Sequence, residues 1–116
     1  MYFLIIQLFK VEYKEDVLLA MTSCGIQQGS AFEGQNLDKM LEREFPLFTG
    51  LIKSDDERER FSMLITSVVD TKKRVQEFVQ LLKEADIDIT KNNILRVVMI
   101  PAEMIMDDKQ QWEHPS

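Results

Sequence analysis

The chain opens on an apolar run at residues 2–9, rich in aromatic and β-branched side chains and interrupted only by Gln7. Its length and composition predict a strand covered on both faces. Val17, Leu18, Ala20, Met21 and Cys24 then mark one face of a helix, with Lys14, Glu15, Asp16, Thr22 and Ser23 outside it. Glu15 and Asp16 in the first turn suit the positive end of the helix dipole. Gly25 stands where a C-terminal cap belongs. Residues 26–34 read as a second, weaker strand, in which Gly29 marks a bulge or a close backbone approach. Asn36 is the expected cap of a short helix with apolar positions Leu37, Met40, Leu41 and Phe45, stopped by Pro46. Leu47, Phe48, Leu51 and Ile52 continue the apolar character, and residues 53–60 carry charges of both signs, as an exposed loop does.

Residues 61–69 alternate as a strand: Phe61, Met63, Ile65 and Val69 share one face, and Ser62, Leu64, Thr66 and Val68 the other. Asp70 is the expected N-cap of the next helix, whose stripe of Val75, Phe78, Val79, Leu82 and Ala85 is the clearest in the chain. A polar turn at 86–93 leads to a last strand at 94–100, ended by Pro101. The pattern thus predicts one domain at 1–103, with an insert at 35–60, and a tail at 104–116, apolar at Met104, Ile105 and Met106 and then polar.

Strand-helix-strand occurs twice. Right-handed crossovers place both helices on one face. The expected fold is α+β and ferredoxin-like, a four-stranded antiparallel sheet with two helices on one side. The first, third and fourth strands are apolar on both faces, so the second face needs another layer. Phe3, Ile5, Met63, Ile65, Val97 and Met99 are its expected members, and a partner subunit is the usual cover. The alternative cover is the insert or the tail folding back.

Composition narrows the function classes. The 116 residues suit one domain, and 45% hydrophobic with 29% charged residues is a globular balance. A net charge of −6, with Lys and Arg scattered among acids, leaves no basic face for phosphates, so no nucleic-acid partner is expected. No stretch approaches the ~20 apolar residues of a membrane helix, so no membrane insertion is expected. The apolar start lacks a basic leader and a small-residue cleavage site, so it reads as a strand rather than a signal peptide. Cys24 is the single cysteine, which rules out an intrachain disulfide and fits a cytoplasmic location.

The order of parts resembles the nitrogen-regulatory P-II signalling family. Residues 14–21, from Lys14 to Met21, are similar to that family's first helix. Cys24, Gly25, Ile26, Gln27, Gln28 and Gly29 resemble its entry to the second strand. Glu33 and Gly34 sit where the signalling loop opens, and Val98, Met99, Ile100, Pro101, Ala102 and Glu103 are similar to its last strand. The resemblance implies a homotrimer packed through its sheets and a regulator that acts on a target protein through the loop between the second and third strands. A link to nitrogen regulation is implied too. The chain departs from the family where nucleotide is held. The glycine-rich phosphate turn is replaced by a run from Ala85 to Asn93 that carries Asp86 and Asp88, with Lys91 the one remaining candidate contact. After the last strand Asp107 and Asp108 stand where arginines would grip phosphate, and the insert lacks the family's tyrosine motif. Nucleotide binding is therefore expected to be degraded, and no cofactor is expected. Gly34, Gln35 and Lys91 are the candidate ligand contacts, and Leu37, Met40, Leu41, Phe45 and Phe48 the candidate partner contacts.

Other chemistry finds little footing. Asp55, Asp56, Glu57 and Glu59 lack the spacing of a calcium loop and alternate with Arg58 and Arg60. Cys24 and His114 are each alone, which does not make a zinc site. No nucleophile elbow, P-loop or dinucleotide fingerprint occurs, and no enzymatic activity is expected. The alternative function is a trimeric small-ligand or metal-binding protein that uses clefts between subunits.

Overall fold

The computed structural model describes residues 1–45 and 59–115. Strand β1 (Tyr2–Leu8) lies at the centre of a sheet of order β2-β3-β1-β4, with every neighbouring pair antiparallel. The other strands are β2 (Gly29–Gln35), β3 (Phe61–Val69) and β4 (Leu95–Pro101). Helices α1 (Lys14–Ser23) and α3 (Lys72–Glu84) cross over one face. This is an α+β architecture compatible with a ferredoxin-like fold. A third helix, α2 (Leu37–Glu44), belongs to the insert. The predicted insert residues Leu47, Phe48, Leu51 and Ile52, and the charged run up to Arg58, lie outside the described residues.

Registers fix which side chains meet the helices. Leu4 faces Ser67 and Met99, Ile6 faces Ile65 and Val97, and Leu8 faces Met63 and Leu95. These positions join Val17, Ala20, Met21 and Cys24 of the first unit and Val75, Phe78 and Leu82 of α3 in one core. Leu4, Ile6, Leu8, Phe78 and Leu82 are fully buried. Each such side chain contributes roughly 1.5–3 kcal/mol by leaving water.

The opposite face is formed by Phe3, Ile5, Gln7, Leu64, Thr66, Val68, Arg96, Val98 and Ile100, with Phe32 on the β2 flank. This corrects the membership expected from sequence. Phe3 and Ile5 do lie there, but Met63, Ile65, Val97 and Met99 point to the helices. Neighbouring residues in β3 and β4 are apolar on both sides, so alternation alone does not say which side turns inward. Phe3, Phe32, Leu64 and Ile100 remain exposed on the open face.

Other boundaries shift for local reasons. β2 begins at Gly29 rather than 26, because Ile26 is consumed in ending α1. There the Ile26 N–H donates to the Met21 carbonyl (2.8 Å) and the Gly25 N–H to Thr22 (3.0 Å), with Gly25 at φ 77°. This is the double-bonded left-handed C-cap. α3 ends the same way, Ile87 to Leu82 (2.8 Å) and Asp86 to Lys83 (3.0 Å), with Asp86 taking the left-handed position at φ 64°. The α3 cap is Thr71, whose hydroxyl accepts from the Arg74 N–H, and not Asp70. Asp70 is engaged elsewhere, by the Arg74 guanidinium at 2.9 Å, which lowers its carboxyl pKa from the usual value. Leu18, expected in the α1 stripe, is exposed. The expected tail instead forms a hairpin, β5 (Met104–Met106) against β6 (Gln111–Glu113), with Ile105 opposite Trp112.

Gly29 is a close approach, the second of the two roles, bulge or close approach, that its place in the sequence suggests. A Cβ there would sit 2.0 Å from the Thr66 carbonyl oxygen, whereas at Gly34 the nearest atom, Ser62 Oγ, is 3.5 Å away. Gly29→Ala is expected to cost about 1–3 kcal/mol or to displace β2, and Gly34→Ala to stay within about 0.5 kcal/mol. Urea denaturation of the two variants checks this; equal midpoints would contradict it.

Candidate functional site

The insert leaves the sheet at Gln35 and returns at Phe61, which are register partners. Asn36 closes its base. The Asn36 N–H donates to the Arg60 carbonyl at 2.8 Å. Its side-chain amide reaches the carbonyls of Phe9 (2.9 Å), Glu59 (2.5 Å) and Phe61 (3.3 Å). The sequence suggests a capping role for this side chain. Asn36 does hold the N-cap position of α2, but its side chain makes no cap bond and ties the insert to β1 and β3 instead.

Helix α2 is turned inside out. Leu37, Met40, Leu41 and Phe45 are exposed, Leu37 at 69%, while Lys39 on the opposite side is 7% exposed. The Lys39 ammonium lies 3.4 Å from Glu42. The Arg43 guanidinium hydrogen-bonds the Gln35 side-chain carbonyl. No α2 residue belongs to the core.

A cleft of about 470 Å³ opens beside this helix, lined by Leu37, Asp38 and Leu41 of the insert together with Lys10, Asn92, Asn93 and Arg96. Arg96 stacks over the Phe9 ring at 5.3 Å and donates to the Gln7 side chain at 3.0 Å. Asn92 and Asn93 hold left-handed conformations, φ 63° and 49°, which asparagine tolerates. Thus the turn keeps a tight path without the glycines of the resembled family.

The candidate ligand residues do not converge. Gly34 and Gln35 line a neighbouring cleft of about 360 Å³ with Phe32, Leu37 and Leu64. Lys91 lines neither cleft, and its ammonium is 3.9 Å from the Asp88 carboxylate. The Thr90 hydroxyl, donating to Asp88, is the main cause lowering that carboxyl's pKa from its ordinary value. Of the candidate partner residues, Leu37, Met40, Leu41 and Phe45 share the exposed side of α2, and Phe48 lies outside the described residues. Sequence reasoning missed Asn36 as a latch and Phe9, Lys10 and Arg96 as a cleft wall; only the fold brings residues so far apart in the chain together.

The single thiol is buried, and Cys24 Sγ lies 2.9 Å from the Ala20 carbonyl. Burial pushes its pKa up, Glu77 adds to this and Arg74 opposes it. Among the described residues no group of three or more His, Cys, Asp and Glu side chains is placed to hold a metal ion. Nor is any helix among them long and apolar enough to cross a membrane.

Asn36→Ala removes the amide that reaches these three carbonyls and is expected to lower stability by about 1–3 kcal/mol. Asn36→Asp will not rescue it, because a carboxylate supplies no donor to those oxygens. Urea denaturation with amide exchange at Asn36 is the check: unchanged stability and exchange in both variants would overturn the latch.

No protein-family model matches the chain, and no curated protein matches it.

Proposed function

We propose that this chain is a P-II-like regulatory protein that works as a homotrimer and acts on a target protein through the insert at 35–60. The observation that carries the reading is α2, an amphipathic helix displaying its apolar side beside an open apolar sheet face. Helices of this length are marginal in water by themselves, so the exposed stripe fits a helix that meets a partner. The open sheet face, with Phe3, Leu64 and Ile100, is the proposed contact between subunits. The proposed role is signalling without catalysis in the cytoplasm, with a link to nitrogen regulation.

Nucleotide sensing is proposed to be lost. The turn at 85–93 is held by Asp88 and two left-handed asparagines rather than by a glycine cradle, and Lys91 is beside a carboxylate. One observation favours a second reading, a small-ligand-binding trimer: the lining of the 470 Å³ cleft combines Lys10 and Arg96 with Asp38 and Glu59.

Calorimetry with ATP and ADP, run beside a small-molecule thermal-shift screen, separates the readings. The regulator reading expects no micromolar nucleotide affinity and no concentration-dependent rise in melting temperature. Micromolar ATP binding would restore nucleotide sensing, and a saturable shift with another small molecule would favour the ligand-binding trimer.

A further inference from the structure

The charges of α2 are sorted as sharply as its apolar residues. Both bases are spent on the chain itself: Lys39 is buried against Glu42, and Arg43 is engaged with Gln35. The exposed side, by contrast, carries Leu37, Met40 and Leu41 together with Asp38 and Glu44, which are also exposed. By helical geometry Glu44 falls between Met40 and Leu37, and Asp38 borders Leu41. Asp38 accepts the Lys39 backbone N–H, and among the described residues no basic side chain pairs with it. The displayed face is therefore apolar, with acids at its centre and on its Leu41 flank, while the exposed Arg43 on the Met40 flank is engaged with Gln35.

Resting on the reading of the insert as the contact element, we infer that α2 docks into an apolar groove rimmed by lysine and arginine on a different protein. A helix of this kind is read through its i, i+3 and i+4 anchors, here Leu37, Met40 and Leu41. Its acids select a basic rim, because like charges across a contact disfavour the wrong partner. A second copy of this chain is the poorer occupant. Each copy carries a net charge of −6. The clefts that hold bases hold acids beside them: Lys10 and Arg96 with Asp38 and Glu59, and Lys14 with Glu33. The groove beside α1 and β2 mixes apolar residues with Thr, Gln and Ser and has no charged lining among the described residues.

The test places a photo-crosslinking amino acid at Met40 of the full chain and irradiates it in extract of the cells that express the protein. The crosslinked peptides are then sequenced. The expected product is a different protein, joined at an apolar segment flanked by Lys or Arg. Its yield should fall roughly tenfold in D38K/E44K, and also when salt is raised from about 0.05 M to about 0.5 M. D107K/D108K, which makes the same charge change in the tail hairpin, should leave the yield unchanged. Circular dichroism of each variant verifies that it is folded. Crosslinks only between copies of this chain, no crosslink at all, or a partner segment without bases would overturn the inference. Leu37→Ser/Leu41→Ser separates it from the reading it rests on. If that variant abolishes capture while D38K/E44K does not, the insert is the contact element and the basic rim is wrong. If neither variant affects capture, both fail.

Discussion

The structure is governed by a sheet that is apolar on both faces, one of which is covered by the described helices α1 and α3. Burial of the Leu4, Ile6 and Leu8 side of β1 against Val17, Phe78 and Leu82 accounts for the core. Every odd neighbour along that strand, Phe3 and Ile5 included, is thereby committed to the other side by the two-residue period. β3 and β4 repeat the situation with Leu64 and Val68 and with Val98 and Ile100. A monomer seldom leaves such a patch in water, so the constraint that builds the core also motivates the proposed assembly.

The insert answers to the same sheet. It extends from the β2–β3 pair, and the Asn36 amide holds its base against Phe9, Glu59 and Phe61. That anchoring sets where α2 begins, and the pairing of Lys39 with Glu42 accompanies its turned-out orientation. The helix thus presents its apolar side next to the open sheet face: Leu37 lines one cleft with Phe9 and Arg96 and another with Phe32 and Leu64.

Much of the fold was legible because its signals are local. The run at 2–9, the alternation at 61–69 and the stripe of Val75, Phe78 and Leu82 each report a period that one element satisfies. Gly25 and Gly29 were legible for the same reason, one as a cap and one as a close contact. Facing was not legible where both sides of a strand are apolar: Met63 and Leu64 look alike until β1 supplies a register. The cap of α3 was missed by one residue, since Asp70 and Thr71 are both capping types and only the Arg74 contact tells them apart. The tail hairpin was missed because Met104, Ile105 and Met106 do not alternate. Its one signal was Asp107, whose side chain accepts from the N–H groups of Lys109 and Gln110. The candidate site was the least legible part, because burial of Lys39 and exposure of Leu37 reverse what residue type alone implies.

In the proposed assembly, other copies of the chain close the open sheet face. Light scattering at micromolar concentration measures this directly. The expected mass is three times that of the 13.6 kDa chain, falling when Leu64 is replaced by arginine. A monomer mass for the unaltered chain would contradict it.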